Sequence, residues 1–381
     1  MDRKICLKFL LKIFLFSTPL ILIMLIASFI AIKSKENYYN IDAVIKANEK
    51  YLIGYAYNDS VARYIKYKTI AEHDKFTIIA IGSSRVLQFR EEMFKKSFYN
   101  AGYTVSSICD FEMFLKTIPK EKYPNYLIMG IDPWMFNEAA DSLNKNRQPT
   151  YWSSNPTISF VPKWEYFRNI LGDIFKGKIT FSNIQTKHKY ITIGLNALIN
   201  TDGFRKDGSR ASGLVIPKLL RGDTSLINSN FQVIKYRIEN QIWPAFYADK
   251  INLHAVSVLE RFLSFCMLNK IQVIGFITPY ADWAQKKIID SDKYGYLDQI
   301  NPTLKPVFDK YKFEYYYYPS VKYCDSDDSE TLDGGHGGEK TYLKILINML
   351  KSGSSLNKVC NITKLERDLN STQNRYVVYN Y

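Results

Sequence analysis

Residues 76–86 read FTIIAIGSSRV, an apolar, β-branched run that stops at Gly82 and continues into two serines and an arginine. A short continuous apolar run closed by turn residues is typical of a strand buried in a parallel sheet. The same pattern recurs at residues 126–131 (YLIMGI), 271–277 (IQVIGFI) and 313–318 (FEYYYY), each followed within two residues by proline. We therefore predict a sheet that contains these four strands.

Helical patterns separate the predicted strands. Apolar residues recur at three- and four-residue spacing over residues 91–96, 110–118, 251–268 and 338–351. Strands that alternate with helices predict right-handed βαβ units and a doubly wound α/β fold. We expect this α/β domain to cover residues 76–350, after a stalk with lead-in helices at 33–75 and before a polar, partly unordered tail at 351–381.

The regular alternation stops between residues 138 and 250. This stretch is rich in Asn and Ser and contains TDGFRKDGS at 201–209, whose two Asp-Gly pairs predict a hairpin. We expect an insertion that lies over the carboxyl edge of the sheet, where α/β proteins place their sites. A structural excursion without a role in substrate binding is the alternative.

Residues 13–32 (IFLFSTPLILIMLIASFIAI) contain no charge. Twenty helical residues span about 30 Å, the thickness of the hydrocarbon core of a bilayer. Arg3, Lys4, Lys8 and Lys12 precede the run, which predicts a cytoplasmic N-terminus at 1–12 and an exported remainder. A cleaved signal peptide is the competing interpretation, but the run is long and offers no clear cleavage site. We predict an uncleaved transmembrane signal anchor.

The composition limits the classes of partner. The 381 residues carry a net charge of +14, which favours anionic partners such as lipid surfaces or acidic polysaccharides. The basic residues are spread along the chain without a nucleic-acid-binding motif, so no nucleic-acid partner is expected. The five cysteines form no CxxC pair and no metal-ligand spacing, so we predict neither a metal nor a cofactor.

Two distant motifs together predict a nucleophilic site. The turn after the first predicted strand places Ser84 at the carboxyl edge of the sheet. Far along the chain, LDGGHGGEK at 332–340 places Asp333 three residues before His336. A serine nucleophile needs a base, and the base needs a carboxylate that orients it. We expect the four glycines of the second motif to adopt backbone angles that other residues avoid.

These motifs resemble those of the SGNH (GDSL-type) hydrolase superfamily. The GSSR spelling, with Ser83 in place of the family's aspartate, and the N-terminal anchor resemble its membrane-tethered branch of DltD-, AlgJ- and AlgX-like proteins. The resemblance covers residues 76–137 and 270–350. It implies a flavodoxin-like, three-layer α/β/α sandwich, with Ser84 as nucleophile, His336 as base and Asp333 as orienting carboxylate.

The resemblance also implies an oxyanion hole. The stretch FYNAGYTVSS at 98–107 matches the family's second motif, so a backbone N–H at Gly102 or Val105 is the expected donor. The family's third motif supplies an asparagine, but GIDPW has Asp132 there, with Asn137 five residues on. Either Asn137 is the donor, or the donor is missing, or Asp132 has a structural or substrate-binding role. Arg85 is expected to bind an anionic substrate group or to pair with a structural carboxylate.

Three functions follow as hypotheses. The first is an extracytoplasmic enzyme that transfers an acyl group, expected to be acetyl, to an envelope polysaccharide or removes it, with a multi-pass membrane acyltransferase as a partner. The second is a non-catalytic protein that retains the fold as a binding or scaffolding module in envelope polymer assembly. The third is an esterase that acts on lipids at the membrane surface.

Overall fold

The computed structural model describes residues 3–36, 40–47, 49–57, 61–141, 143, 147–155, 164–222 and 224–379. The remaining positions include parts of the predicted lead-in segment (37–39, 48 and 58–60) and of the predicted insertion (142, 144–146, 156–163 and 223). Met1, Asp2 and the last two residues of the predicted tail also lie outside the described residues.

The described residues form nine strands and fifteen α-helices, numbered in chain order. The strands are β1 Tyr51–Ile53, β2 Ile78–Gly82, β3 Phe98–Gly102, β4 Tyr126–Ile131, β5 Ile191–Ile193, β6 Asp202–Arg205, β7 Arg210–Ser212, β8 Gln272–Ile277 and β9 Glu314–Tyr317. The helices are α1 Arg3–Lys33, α2 Ile41–Lys46, α3 Val61–Glu72, α4 Asp110–Thr117, α5 Thr150–Ser153, α6 Trp164–Phe175, α7 Phe181–Ile184, α8 Leu195–Asn200, α9 Ile216–Leu220, α10 Thr224–Glu239, α11 Leu253–Leu268, α12 Asp282–Asp290, α13 Tyr296–Lys310, α14 Glu339–Lys351 and α15 Ile362–Ser371.

The chain divides into two compact units. One contains Met1–Asp59 and Pro156–Gly203, and the other contains Ser60–Asn155 and Phe204–Tyr381. The predicted insertion at 138–250 is therefore divided between the two units. Its middle part belongs with the N-terminal segment, a long-range association that no local pattern in the sequence indicates.

The first unit is built around α1, which is long and apolar enough to cross a membrane by length and composition. The side chains between Ile5 and Ile26 are mostly exposed, whereas Ala27, Ile30 and Ala31 are buried against residues of α6 and its neighbours. Glu36, which follows α1, accepts backbone N–H bonds from Ala56, Tyr57 and Leu195. The last turns of α1 thus belong to the core of this unit, although the predicted span at 13–32 includes them.

The second unit contains a five-stranded sheet in the order β3-β2-β4-β8-β9, and every neighbouring pair is parallel. The α/β class and the mainly parallel sheet are therefore confirmed. The four predicted strands are present with ends shifted by at most two residues. The prediction missed β3, because Asn100 interrupts its apolar run. The Asn100 side chain donates to the carbonyl oxygens of Val86 and Phe89 and accepts from the Gly102 N–H.

Successive strand residues join different core clusters, as the two-residue period of a strand requires. Ile79 and Ile81 of β2 lie in one cluster with α4, α11 and α13, whereas Ile78 and Ala80 lie in a second cluster with α14. Residues beyond Lys351, expected to be a polar tail, also contribute to the second cluster. Leu356, Val359, Cys360 and Leu365 of this segment are all buried there. This segment is polar in overall composition, which suggested a tail, but the apolar side chains spaced along it pack into the second cluster.

The predicted hairpin is present, but only at the second Asp-Gly pair. The Arg205 N–H donates to the Ser209 oxygen, and Gly208 has a φ of 81° in the turn between β6 and β7. The first pair, Asp202-Gly203, lies within β6. The second pair is the one at which the chain reverses.

Candidate active site

Ser84 begins a short helical turn, Ser84–Val86, directly after β2. The Ser83 hydroxyl accepts from the Arg85 N–H and closes the start of the turn. Val86 fills the space above the glycines that end or nearly end three adjacent strands, Gly82, Gly102 and Gly130. A Cβ atom at Gly130 would lie only 2.1 Å from the Val86 Cγ1. Because these glycines have no side chains, the turn packs directly against the sheet, and this packing sets the position of Ser84 relative to the strand ends.

The second motif forms a tight loop before α14. Its ends are joined by a hydrogen bond of 2.8 Å from the Leu332 N–H to the His336 oxygen. The Asp333 Oδ1 accepts from the N–H groups of Gly335 and His336, each at 2.7 Å. The aspartate therefore organises the loop that carries its own histidine.

The expected role of the four glycines in this loop is wrong. Gly334, Gly335, Gly337 and Gly338 are not among the glycines with positive φ. At three of them a side chain would collide with a close neighbour instead. A Cβ at Gly334 would lie 2.6 Å from the Trp283 ring, and one at Gly338 would lie 2.8 Å from the Glu330 oxygen. Close packing, and not a positive φ, explains Gly334, Gly337 and Gly338.

The two motifs meet in the folded chain. The Ser84 Oγ lies 2.9 Å from the His336 Nε2, and the His336 Nδ1 lies 2.9 Å from the Asp333 Oδ2. Burial alone would raise the pKa of Asp333, but His336 and the two loop N–H groups lower it to about 2. Asp333 is therefore ionised at neutral pH, and it favours the tautomer with a proton on Nδ1. The Nε2 atom is then free to accept the Ser84 proton.

The predicted oxyanion donors are engaged elsewhere. The Gly102 N–H donates to Asn100 and the Val105 N–H donates to the Gly82 oxygen at 3.3 Å. Asn137 is fully buried, and its side chain donates to the Phe246 oxygen and accepts from the Ala139 and Ala140 N–H groups. The predicted donor groups of Gly102, Val105 and Asn137 therefore already make hydrogen bonds within the protein, and their role as oxyanion donors stays a prediction that this geometry does not support.

Two other N–H groups remain available beside the nucleophile. Among the described residues, the backbone N–H groups of Ser84 and Thr104 have no hydrogen-bond acceptor, and both residues line the same cavity. Between them, Tyr103 has a φ of 74°, a left-handed conformation that is uncommon for a bulky residue. Strained backbone of this kind is concentrated at functional sites. Ser84 and Thr104 replace the predicted pair as candidate oxyanion donors.

Asp132 and Arg85 form a buried polar group beneath the site. The Arg85 Nη1 lies 3.4 Å from the Asp132 Oδ1, and its Nη2 donates to the carbonyl oxygens of Thr278 and Pro279. The Thr278 hydroxyl donates to Asp132 at 2.6 Å. Burial raises the pKa of Asp132, although Arg85 and Thr278 oppose that shift. These contacts with other protein groups favour the structural role that was predicted as one alternative for each of the two side chains.

A cavity of about 310 Å³ opens beside Ser84 and His336. Its walls are aromatic and basic, with no acidic side chain among the described residues that line it. The lining includes Arg63, Arg85, Tyr103, Thr104, Trp134, Tyr151, Arg237, Trp243 and Tyr280. The sequence contains no local signal for Arg63 or Arg237, because each lies on a helix outside both motifs and reaches the cavity only in the folded chain.

Within the described residues, no three His, Cys, Asp or Glu side chains are grouped so that they would hold a metal ion. The site consists of a serine, a histidine and an aspartate with nearby backbone donors, which is an arrangement that can form and break an acyl ester.

No family model matches this chain, and no curated protein is significantly similar to it.

Proposed function

We propose that this chain is a membrane-anchored, SGNH-type serine enzyme that forms an acyl ester on Ser84. The observation that carries the proposal is the hydrogen-bonded series Ser84–His336–Asp333, with contacts of 2.9 Å on both sides of the imidazole. The series is assembled from two motifs more than 240 residues apart, and it opens into a cavity large enough for a small acyl group. Chance packing rarely gives a serine, a histidine and a carboxylate this mutual orientation.

The first chemical step would acylate the enzyme. The Ser84 oxygen attacks the carbonyl carbon of an ester as its proton moves to the His336 Nε2. The ester's C–O bond then breaks, and His336 returns the proton to the departing alcohol oxygen. Asp333 stays ionised and stabilises the protonated imidazole. The N–H groups of Ser84 and Thr104 are the candidate donors for the negative oxygen of the intermediate.

The second step would release the acyl group. A sugar hydroxyl or a water molecule attacks the acyl carbon and gives its proton to His336, and the Ser84 oxygen leaves and recovers a proton. With a sugar hydroxyl the product is a new ester, and with water it is the free acid. The same three side chains carry out both reactions, so the accessibility of water to the acyl-enzyme determines which one dominates.

The strand order supports a flavodoxin-like, three-layer arrangement. When only the strands of this sheet are numbered along the chain, their order is second, first, third, fourth, fifth, which is the order of flavodoxin-like doubly wound folds. Such folds bind ligands at the carboxyl ends of the strands, at the point where the strand order reverses. Ser84 follows the first strand of this sheet, next to that reversal.

The apolar α1 and the basic residues before residue 13 support an anchored protein whose residues after α1 lie outside the cytoplasm. There the acyl acceptor would be an envelope polysaccharide and the donor a multi-pass membrane acyltransferase. Acetyl is the proposed acyl group. The anchor would hold the site close to such a donor.

Labelling with a fluorophosphonate probe tests this function. We expect the detergent-purified full-length chain to react at Ser84, and Ser84→Ala to lose the adduct from the peptide that contains that position. Ser257→Ala, which removes an exposed hydroxyl on α11, is the matched control and should label as the wild type does. A wild-type protein that unfolds cooperatively on heating, and is therefore folded, but is not labelled by the probe would count against the enzyme.

A non-catalytic binding or scaffolding protein is the second candidate. The engagement of Gly102, Val105 and Asn137 in internal hydrogen bonds favours it, because a weak oxyanion hole costs about a hundredfold or more in rate. This candidate predicts that the wild type and Ser84→Ala behave alike towards the probe and bind the same polymers.

A further inference from the structure

The cavity beside Ser84 contains two arginines that lack an acidic partner. Arg63 on α3 and Arg237 on α10 both line it, and neither has a carboxylate within ion-pair distance among the described residues. Arginine is always charged at physiological pH, and an arginine in a partly closed site is normally paired. Two unpaired guanidinium groups in one small cavity therefore indicate a negatively charged ligand.

The neighbouring acids are used elsewhere. Glu72, the only acidic residue of α3, pairs with Lys68 at 2.7 Å. Glu239, the only acidic residue of α10, pairs with Lys287 at 2.8 Å. The carboxylate of each helix is thus paired with a lysine, Lys68 of α3 itself for Glu72 and Lys287 of α12 for Glu239, and the arginine of each helix lines the cavity.

Arg63 is held in place without being neutralised. Its guanidinium carbon lies 4.2 Å from the centre of the Tyr151 ring. Arg147 approaches the same ring at 4.1 Å, but it also pairs with Asp110 at 3.1 Å. Stacking on a tyrosine fixes the orientation of a guanidinium and leaves its N–H groups for a ligand. Arg63 is therefore preorganised as a donor, whereas the charge of Arg147 is compensated.

Arg85 lines the cavity too, but it cannot perform this role. Its terminal nitrogens are used by Asp132, Thr278 and Pro279, and its side chain is only 2% exposed. Any anion in the cavity must therefore rely mainly on Arg63 and Arg237.

The aromatic walls indicate what carries the charge. Trp134 and Trp243 meet edge to face with their ring centres 6.0 Å apart, and Tyr103 and Tyr280 line the same space. Aromatic faces pack against the apolar faces of sugar rings, while arginine binds carboxylate and phosphate oxygens through paired hydrogen bonds. We infer that the cavity binds a sugar bearing a carboxylate or phosphate group through Arg63 and Arg237, next to Ser84.

The inference that this charged sugar is the acyl acceptor or the acylated substrate rests on the proposed function. The binding of the sugar to the cavity does not. Tryptophan fluorescence of the full-length chain in a non-ionic detergent measures this binding, because Trp134 and Trp243 lie in the cavity. The probes are glucuronate, glucose 6-phosphate and uncharged methyl glucoside. The first two separate carboxylate from phosphate recognition, and the third reports the contribution of the ring alone.

We expect at least one charged sugar to bind about tenfold or more tightly than methyl glucoside, and to lose that advantage in Arg63→Gln and Arg237→Gln. Arg63→Lys keeps the charge without the paired hydrogen bonds and should retain part of the affinity. Arg261→Gln is the matched control, because Arg261 is 61% exposed, pairs with Glu112 and does not line the cavity. Its affinity for the charged sugar should equal that of the wild type.

The inference is overturned if the three sugars bind equally, if none binds, or if both glutamine variants keep the preference for charge. Ser84→Ala separates this result from the proposed function. Suppose that Ser84→Ala and the wild type both bind the charged sugar but the wild type does not react with the fluorophosphonate. This result would support the anion-binding site and contradict the proposed enzyme.

Discussion

At the scale of single residues, the geometry of the site depends on Asp333. This carboxylate accepts two loop N–H bonds and faces the imidazole of His336, so one side chain both shapes the loop and orients the base. The Asp-x-x-His spacing made this arrangement predictable, because three residues of a tight turn bring the two side chains together. The unpaired arginines were not predictable, since their lack of partners depends on which lysines fold next to Glu72 and Glu239.

Asp333→Asn should slow the reaction of Ser84 with a fluorophosphonate by about a hundredfold to ten-thousandfold, because the amide neither stabilises the imidazolium nor fixes its tautomer. The rate of probe incorporation measures this effect. Asp309→Asn, at a surface position that is 57% exposed, is the control and should react at the wild-type rate. Equal rates for the two variants would remove Asp333 from the mechanism.

The low pKa of Asp333 also predicts a pH dependence of stability. The folded value of about 2 lies below the ordinary 3.8, so ionised Asp333 stabilises the fold above about pH 4. This contribution, at most about 2 kcal/mol, disappears as the pH falls through 2. The difference between the urea midpoints of the wild type and Asp333→Asn should therefore shrink by roughly half between pH 6 and pH 3. A constant difference would show that the carboxylate is not specifically stabilised.

At the scale of secondary-structure elements, the turn after β2 depends on glycines in three strands. The four strands with continuous apolar runs were predictable from sequence, but β3 was not, because Asn100 lies at its centre and its hydrogen bonds are visible only in the folded chain. The hydrogen bonds made by the predicted oxyanion donors were not predictable for a related reason. Which N–H groups remain free depends on the path of the loop after β3, and Tyr103 takes a left-handed turn there that no motif predicts.

Gly130→Ala should destabilise the second unit by about 1–3 kcal/mol and slow Ser84 labelling, since the new methyl group collides with Val86. Denaturant unfolding and labelling rates measure the two effects. The double variant Gly130→Ala/Val86→Ala should recover part of the stability and part of the labelling rate, because the smaller side chain at position 86 leaves space for the new methyl group. Gly172→Ala is the matched control, as no atom lies within 4 Å of its would-be Cβ. If the double variant is as impaired as the sum of the single ones, Val86 does not position the turn.

At the scale of the whole molecule, two compact units share one chain, and α1, which is long and apolar enough to cross a membrane, is also part of the first unit. The apolar run at 13–32 was predictable from composition alone. The packing of Ala27, Ile30 and Ala31 within that unit was not, because its partners are more than 130 residues away. The same reason explains why the predicted insertion at 138–250 does not form one body.

The effect of an N-terminal truncation on the stability of the first unit should therefore depend on the residue at which the chain begins. A chain that begins at residue 25 keeps the buried turns of α1 and should be recovered without detergent as a folded protein. A chain that begins at residue 37 loses Ala27, Ile30, Ala31 and the buried Glu36, and its first unit should unfold at a lower temperature or aggregate. Thermal unfolding and gel filtration compare the two. Equal behaviour would show that α1 serves only as an anchor.

The central claim, that Ser84 forms an acyl ester, is tested most directly by trapping that ester. Full-length wild type mixed with an aryl acetate and quenched in acid should gain one acetyl group, located by mass spectrometry on the peptide that contains Ser84. Ser84→Ala should gain none, and His336→Ala should gain it far more slowly. A folded wild type that never acquires the acetyl group, or acquires it equally in Ser84→Ala, would contradict the account.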